Sequence, residues 1–543
     1  MTDATQTDGA EDVPHPVDTD YEIGQHNINP FGLDLHNPVF VISGLSIVAF
    51  VIITLMFQQG ATEFFGWLRP FLTSTFDWFF LSAANVFVLF CFMLMVTPMG
   101  KIRLGGQNAT PDYSYMGWFA MLFAAGMGIG LMFFGVSEPM SHFASSMGGT
   151  AVEGGVRTDW APLGAAAGDA VAARNLGMAA TIFHWALHPW AIYAIVALAL
   201  AFFTFNRGLP LTLRSAFYPI LGDRVWGWWG HIIDITAVFA TLFGLATSLG
   251  FGTEQALAGL NYLFGWGTGN VAKVVLIGLI TAMALISVVR GLDGGVKVLS
   301  EINIGLAALL LLFIIAVGPT ATIFETILGG GAAYVTNLIP LSMPFGREDA
   351  NFSQGWTAFY WAWWISWSPF VGMFIARVSR GRTVREFVFC VMIIPTAVCV
   401  LWMGAFGGTA ISQVVADAAA PVKDAALELK LFEMLKPLPF AGITSFLGIV
   451  LVLVFFITSS DSGSLVIDTI TAGGKTDAPV SQRVFWCIFE GVVAATLLLV
   501  GGAGALTALQ AMAVSTGFPF TIVLLVMCVS LYMGLRQTQK AGL

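Results

Sequence analysis

Charge is what this chain has least of. Lys, Arg, Asp and Glu make up 10% of its 543 residues, 57% are hydrophobic, and the mean hydropathy is +0.82. That balance excludes an ordinary soluble globular protein. The few basic residues form no patch, which excludes nucleic-acid binding. The five cysteines, Cys91, Cys390, Cys399, Cys487 and Cys528, lie in or beside apolar runs without paired spacing or a neighbouring His. Neither a disulfide framework nor a cysteine metal site is expected. The seven histidines are too scattered for a metal site. No nucleophile, metal cluster or acid/base pair stands at membrane depth, so neither an enzyme nor a cofactor is expected. The amino-terminal 35 residues contain Asp3, Asp8, Glu11, Asp12, Asp18, Asp20 and Glu22 but no Lys or Arg. They lack the basic start and early apolar run of an export signal and read as a disordered acidic cytoplasmic tail.

What is present is a series of long apolar runs. Twelve can each cross about 30 Å of hydrocarbon at about 1.5 Å per residue. They fall near 39–57, 77–97, 113–135, 178–204, 231–250, 271–289, 302–318, 356–376, 385–408, 441–460, 484–503 and 512–534. An all-α polytopic membrane protein is expected, with a transporter domain over 36–534 and a short tail at 535–543. With the amino terminus inside, 15 Lys and Arg fall in inner loops against 8 in outer ones. Both termini are therefore placed in the cytoplasm, and the protein in the cell inner membrane. YVTNLIPLS, Tyr334 to Ser342, is too short to cross and is expected along the interface.

The third and eighth runs are the most disrupted by Gly or Pro, and they stand five positions apart in the order of spans. That spacing suits a carrier made of two inverted five-helix repeats, each opening with a discontinuous helix that lines the site. The repeats would cover about 113–318 and 356–534, with two helices added in front.

In the third run, Gly126, Gly128 and Gly130 remove three side chains from one stretch. Two readings stay open: close helix packing, and an unwound segment whose carbonyls face a solute or cation. In the eighth, WTAFYWAWWISWSP brings Trp361, Trp363, Trp364 and Trp367 within seven residues, ahead of a break expected at Pro369. Indole rings at membrane depth can cage an ammonium or sulfonium group, at about 2 kcal/mol or more per ring when dry. No carboxylate would be needed. The Ile365 carbonyl, deprived of its donor by Pro369, is a further candidate ligand. In the fourth run, Trp185, Tyr193 and Trp190 share one sector at about 100° per residue. His184 and His188 are one turn apart without an acidic companion and read as structural hydrogen-bonding groups. In the tenth, Thr458 and Ser459 at the inner end are candidate sodium ligands, although membrane hydroxyls usually bond to their own backbone. Asp461 just beyond either caps that end or is solvated.

These segments, AAGMGIGLMFFGVSEP, HWALHPWAIY, WAWWISWSPF with ARVSRGR, and TSSDSGS, resemble the betaine/choline/carnitine transporter (BCCT) family, in order, from Asn29 to near Tyr532. GMGIG is similar to the sodium-coupled glycine betaine carriers in particular. The resemblance implies a fold like that of the sodium/amino-acid symporters, usually assembled as a homotrimer. It implies an aromatic box of Trp185, Trp190, Tyr193 and Trp364 with Trp367 adjacent, Trp361 and Trp363 along the path, and Gly126, Met127 and Gly128 near the solute. It implies a sodium site from Ala124, Met127, Phe455, Thr458 and Ser459. A second sodium site in the fifth span is in doubt, because TLFGLATSLG carries few hydroxyls. The family's osmotically activated members have a long basic carboxyl-terminal extension where this chain has LRQTQKAGL, so tail-dependent activation is not expected. The expected activity is sodium-coupled symport of a zwitterionic onium solute, glycine betaine or an analogue such as dimethylsulfoniopropionate. Proton-coupled choline uptake, sodium-independent carnitine exchange and a passive channel are the rivals.

Overall fold

Long apolar runs have one backbone solution in hydrocarbon. Without water to pair N–H and C=O groups, each segment satisfies its own by coiling into a helix. The computed structural model describes residues 17–126, 128–164, 166–290, 296–501 and 504–541. Its helices are α1 Asn37–Met56, α2 Gln58–Val96, α3 Tyr115–Gly126, α4 Ile129–Gly148, α5 Ala170–Trp185, α6 Leu187–Phe205, the short α7 Tyr218–Leu221, α8 Trp228–Phe264 and α9 Asn270–Arg290. They continue with α10 Val296–Val317, α11 Thr320–Ser342, the short α12 Ala350–Phe352, α13 Ala358–Arg377, α14 Val384–Ala416, the short α15 Lys430–Leu435, α16 Ala441–Thr471, α17 Val480–Gly501 and α18 Ala505–Lys540.

Among the described residues, ten helical segments are long and apolar enough to cross a membrane. The expected third and eighth spans are not among them. The third is divided into α3 and α4, and the eighth, α13, is diluted by Trp, Tyr and Ser. The α5–α6 segment is almost wholly buried, whereas α10 is mostly exposed, so the fourth span runs through the protein core and α10 along its rim. Helix α13 packs on α6, α18 and α8, and α16 lies against α8. YVTNLIPLS is not a separate surface segment. It is the carboxyl-terminal part of the 23-residue α11, which packs on α5 and α14.

The expected disordered tail is also corrected over 17–35; the calls on 1–16 lie outside the described residues. Strands β1 Asn27–Ile28 and β2 Leu35–His36 pair antiparallel. Tyr21 stacks on Trp226 at 3.9 Å, the Val17 N–H donates to the Arg207 carbonyl, and Asn27 donates to the Ala472 carbonyl. Lys475 pairs with Asp34 at 2.5 Å. These contacts fasten the segment as a strap across one end of the bundle.

Candidate functional site

Proline sets the shape of the fourth span. Pro189 has no N–H to give the Trp185 carbonyl four residues back. Helix α5 accordingly ends at Trp185 and α6 begins at Leu187, with Ala186 non-helical at φ −106°, ψ −123°. The Trp190 indole N–H takes the freed carbonyl at 3.2 Å. The break thus falls three residues before the proline.

Pro369 has a different outcome. Helix α13 continues through it, so the break expected there is absent. The Ser368 hydroxyl donates to the Ile365 carbonyl at 2.7 Å, supplying the hydrogen bond that proline cannot. That carbonyl is occupied by the protein itself. The irregularity of this segment lies instead at its start, where Ser353–Thr357 form a wide π turn.

The kinked fourth span and α13 bring four of the expected rings together. The Trp364 ring centroid lies 5.2 Å from Trp185, 5.2 Å from Tyr193 and 6.2 Å from Trp190, and Trp190 lies 5.4 Å from Tyr193. All four residues are buried. Trp363 adjoins them, 6.0 Å from Trp364 and 6.4 Å from Trp185, and donates to the Ser248 hydroxyl at 3.1 Å. Trp367 and Trp361 do not join the cluster. Trp367 packs on Phe370 and donates to the Gly244 carbonyl at 3.0 Å. Trp361 packs on Phe183 and His188. A helix that turns about 100° per residue between several neighbours sends its indoles in different directions. The Trp364 indole nitrogen has no hydrogen-bond partner among the described residues, so its ring is held by packing alone.

The third span is broken as expected. Helix α3 ends at Gly126, α4 starts at Ile129, and Gly128 between them is extended. Met127 was expected in both the solute and the sodium site and lies outside the described residues. Gly130 faces the box: a Cβ there would sit 2.8 Å from Trp363 and 3.0 Å from Trp185. A cavity of about 260 Å³ opens beside the cluster, lined in part by Phe134, Phe251, Trp356 and Phe359. The Phe134 ring borders that cavity and stands 6.4 Å from Trp185 and 5.8 Å from Trp363.

Behind Trp185 lies a charged group that the sequence reading did not assign. Glu138 on α4 is fully buried, and its Oε2 accepts the Trp185 indole N–H at 2.7 Å and the Tyr360 hydroxyl at 2.5 Å. Its Oε1 meets His184 Nδ1 at 2.5 Å and His142 Nε2 at 3.3 Å. The expectation that His184 has no acidic companion is overturned. Folding brings in Glu138, 46 positions away, and His142. His188 is outside this group and bonds Asn85 at 3.0 Å. Glu138, His142 and His184 have the residue types of a metal site. The carboxylate is already saturated by four protein donors, and His184 Nε2 lies 2.9 Å from the Thr357 hydroxyl, so this donor set calls for no metal. The available signal was an ionisable residue inside an apolar helix, which by default marks function.

The sodium candidates are less closely assembled. Thr458, Ser459 and Phe455 lie on α16, and the helix continues to Thr471, so the two hydroxyls are mid-helix and not at an end. The Thr458 hydroxyl donates to the Val454 and Phe455 carbonyls at 3.0 and 3.2 Å. Its lone pairs remain able to face a cation. Ala124 lies in the last turn of α3, where carbonyls lack intrahelical donors. Carbonyl and hydroxyl oxygens are neutral ligands of the kind a hard monovalent ion takes, but among the described residues α3, which carries Ala124, makes no extensive contact with the helix of Thr458 and Ser459. Helix α16 packs on α4 and α8. Asp461 is neither a cap nor solvated. It is buried and accepts from Ser287 at 2.8 Å. In the fifth span, Thr241 and Thr247 bond back to their own helix, and Ser248 is engaged by Trp363.

The family profile described as BCCT, betaine/carnitine/choline family transporter, matches residues 38–540. The chain belongs to this family. Like the other family members it is a multi-pass membrane transporter and not an enzyme. It is similar to a Vibrio parahaemolyticus protein named glycine betaine/proline/choline transporter, at 68% identity over 96% of this chain and 95% of that one. Glycine betaine transporter 1 of the same organism is 56% identical over 96% and 98%. The glycine betaine transporter of Acinetobacter baylyi is 42% identical over 92% and 73%. Within this family member, Trp185, Trp190, Tyr193 and Trp364 are the expected site residues whose rings meet.

Proposed function

We propose that this family member is a secondary active transporter that carries a zwitterionic onium solute, glycine betaine or an analogue such as dimethylsulfoniopropionate, into the cell with sodium. The observation that carries the proposal is the meeting of Trp185, Trp190, Tyr193 and Trp364 at 5.2 to 6.2 Å. Such a cluster, opened by a small displacement of its rings, offers several indole and phenol faces to a methylated cation. The relatives' names support the substrate class. The break at Gly128 and the hydroxyls of Thr458 and Ser459 support sodium as the coupling ion. One sodium moving down about 100 mV and a tenfold gradient supplies about 3.7 kcal/mol, or several hundred-fold accumulation of a net-neutral solute. Two inverted five-helix repeats, cytoplasmic termini and a homotrimer complete the proposal.

The second reading is proton-coupled choline uptake, favoured by the relative whose name includes choline. Proteoliposome uptake of labelled glycine betaine, choline, carnitine, ectoine and dimethylsulfoniopropionate under imposed sodium or proton gradients separates the two. Betaine accumulation that survives complete sodium removal overturns the sodium coupling.

A further inference from the structure

The geometry points to Glu138 as the counter-charge for the onium group, acting through the Trp185 indole and setting how well the site accepts a net cation relative to a zwitterion. This rests on the box being the solute site. The hydrogen-bond pattern assigns the charge. Trp185 can only donate, and the Tyr360 hydroxyl shares the same oxygen at 2.5 Å. On the other oxygen, His184 Nδ1 lies at 2.5 Å, and the 2.9 Å contact between its Nε2 and the Thr357 hydroxyl fits a neutral imidazole that donates from Nδ1 and accepts at Nε2. His142 donates from Nε2. Four donors on two oxygens describe an ionised carboxylate. No Lys or Arg among the described residues pairs with it; its ion-pair contacts are His142 and His184 only. The buried centre therefore carries an anion faced by two imidazoles and by no permanent cation among the described residues, a costly arrangement that a positive charge bound nearby would relieve.

What can bind nearby is defined by Trp185. Its pyrrole edge touches the carboxylate, and its ring stands 5.2 Å from Trp364 at 84°. The indole is thus a wall of the box that also holds the carboxylate. A carboxylate accepting the N–H also enriches the ring face in electrons, which strengthens cation binding at that face. At a separation of roughly 8 Å and an effective dielectric of about 20, a unit charge shifts the affinity of a net cation by about 30-fold. A zwitterion's own carboxylate offsets most of that and leaves a few-fold effect.

The test compares choline and glycine betaine as competitors of labelled glycine betaine binding and uptake in the full-length protein in proteoliposomes. Glu138→Gln keeps the size and a hydrogen-bonding amide but removes the charge. It is expected to weaken choline at least tenfold more than betaine. Glu138→Asp keeps the charge and is expected to preserve the wild-type choline-to-betaine ratio even where both affinities fall. If E138Q does not fold, Trp185→Phe, which keeps a ring but cuts the N–H link, is expected to shift the ratio in the same direction. An unchanged ratio in E138Q, or in W185F in its place, or an E138D ratio that moves with E138Q, overturns the inference and leaves Glu138 a purely structural group. Absence of betaine binding by the wild-type protein is a different failure, that of the box as the solute site, and is read before any variant is made.

Discussion

Replacing Trp364 by Ala removes the ring that touches the other three members of the box. Each edge-to-face contact is worth about 0.5 to 1.5 kcal/mol beyond area burial, and truncating a buried Trp costs about 3 to 5 kcal/mol in all. The Trp364 indole N–H has no hydrogen-bond partner among the described residues, so its loss orphans no buried acceptor there. For the solute, one desolvated cation–π face is worth about 2 kcal/mol, which is roughly a 30-fold rise in apparent KM. The stability cost lowers the amount of inserted protein, so initial rates of betaine uptake must be normalised to transporter measured in the same vesicles. Trp364→Phe keeps a smaller ring and should fall between wild type and Ala. Trp361→Ala is the matched control, because Trp361 is as deeply buried but packs on Phe183, His188 and His184 and on none of the four box rings. It should cost stability with little change in KM. Normalised W364A uptake with wild-type KM, or equal KM effects at Trp361 and Trp364, would refute the reasoning.

Gly130→Ala places a methyl group 2.8 Å from Trp363 and 3.0 Å from Trp185, so KM for betaine should rise severalfold while expression holds; titration of uptake against betaine reads it. Thr458→Ala and Ser459→Ala should each raise the half-saturating sodium concentration about tenfold, measured by uptake across a sodium series; an unaltered sodium curve removes these hydroxyls from the ion site. Ser368→Ala strips the Ile365 carbonyl of its donor beside Pro369 and should cost about 1 to 3 kcal/mol, seen as a lower Tm of the purified protein. His36 in the strap has its pKa lowered to about 3 by burial and by the nearby Arg214, His231 and His26. The unfolded segment, with a pKa near 6.5, therefore binds the proton that the docked one refuses. Below about pH 6.5 docking should weaken by up to about 1.4 kcal/mol per pH unit, until the folded pKa is reached. Hydrogen exchange of residues 17–36 at pH 7.5 and 5 checks this, and equal protection at both would count against it.

The parts legible in the sequence were those carried by local rules. Ten of the twelve apolar runs recur as helices of hydrocarbon-spanning length among the described residues, the glycine-rich stretch takes the unwound one of its two readings at Gly128, and Trp185, Trp190 and Tyr193 all meet Trp364 although the helix breaks at Ala186 between them. The outcome at each proline was not legible. Pro189 and Pro369 strip one carbonyl each, and whether the helix breaks depends on which neighbour reaches that carbonyl: Trp190 across a kink, or Ser368 within an unbroken helix. Glu138 was hidden for another reason. Its partners come from α4, α5 and α13, and spacing along the chain says nothing about a contact between His184 and a residue 46 positions away. The strap over 17–36 was misread because acidic composition describes a free segment, whereas Tyr21, Asn27 and Asp34 each find a partner on the bundle.

The Trp190 side chain performs two tasks whose requirements meet in one bond. Its ring is a wall of the box, and its nitrogen closes the gap that proline leaves at the Trp185 carbonyl. If the ring swivels to admit a solute, that closure is released and the joint between α5 and α6 gains freedom to flex. On the proposed function, admitting a solute between the rings and bending the central rod of the protein would be tied through this single side chain.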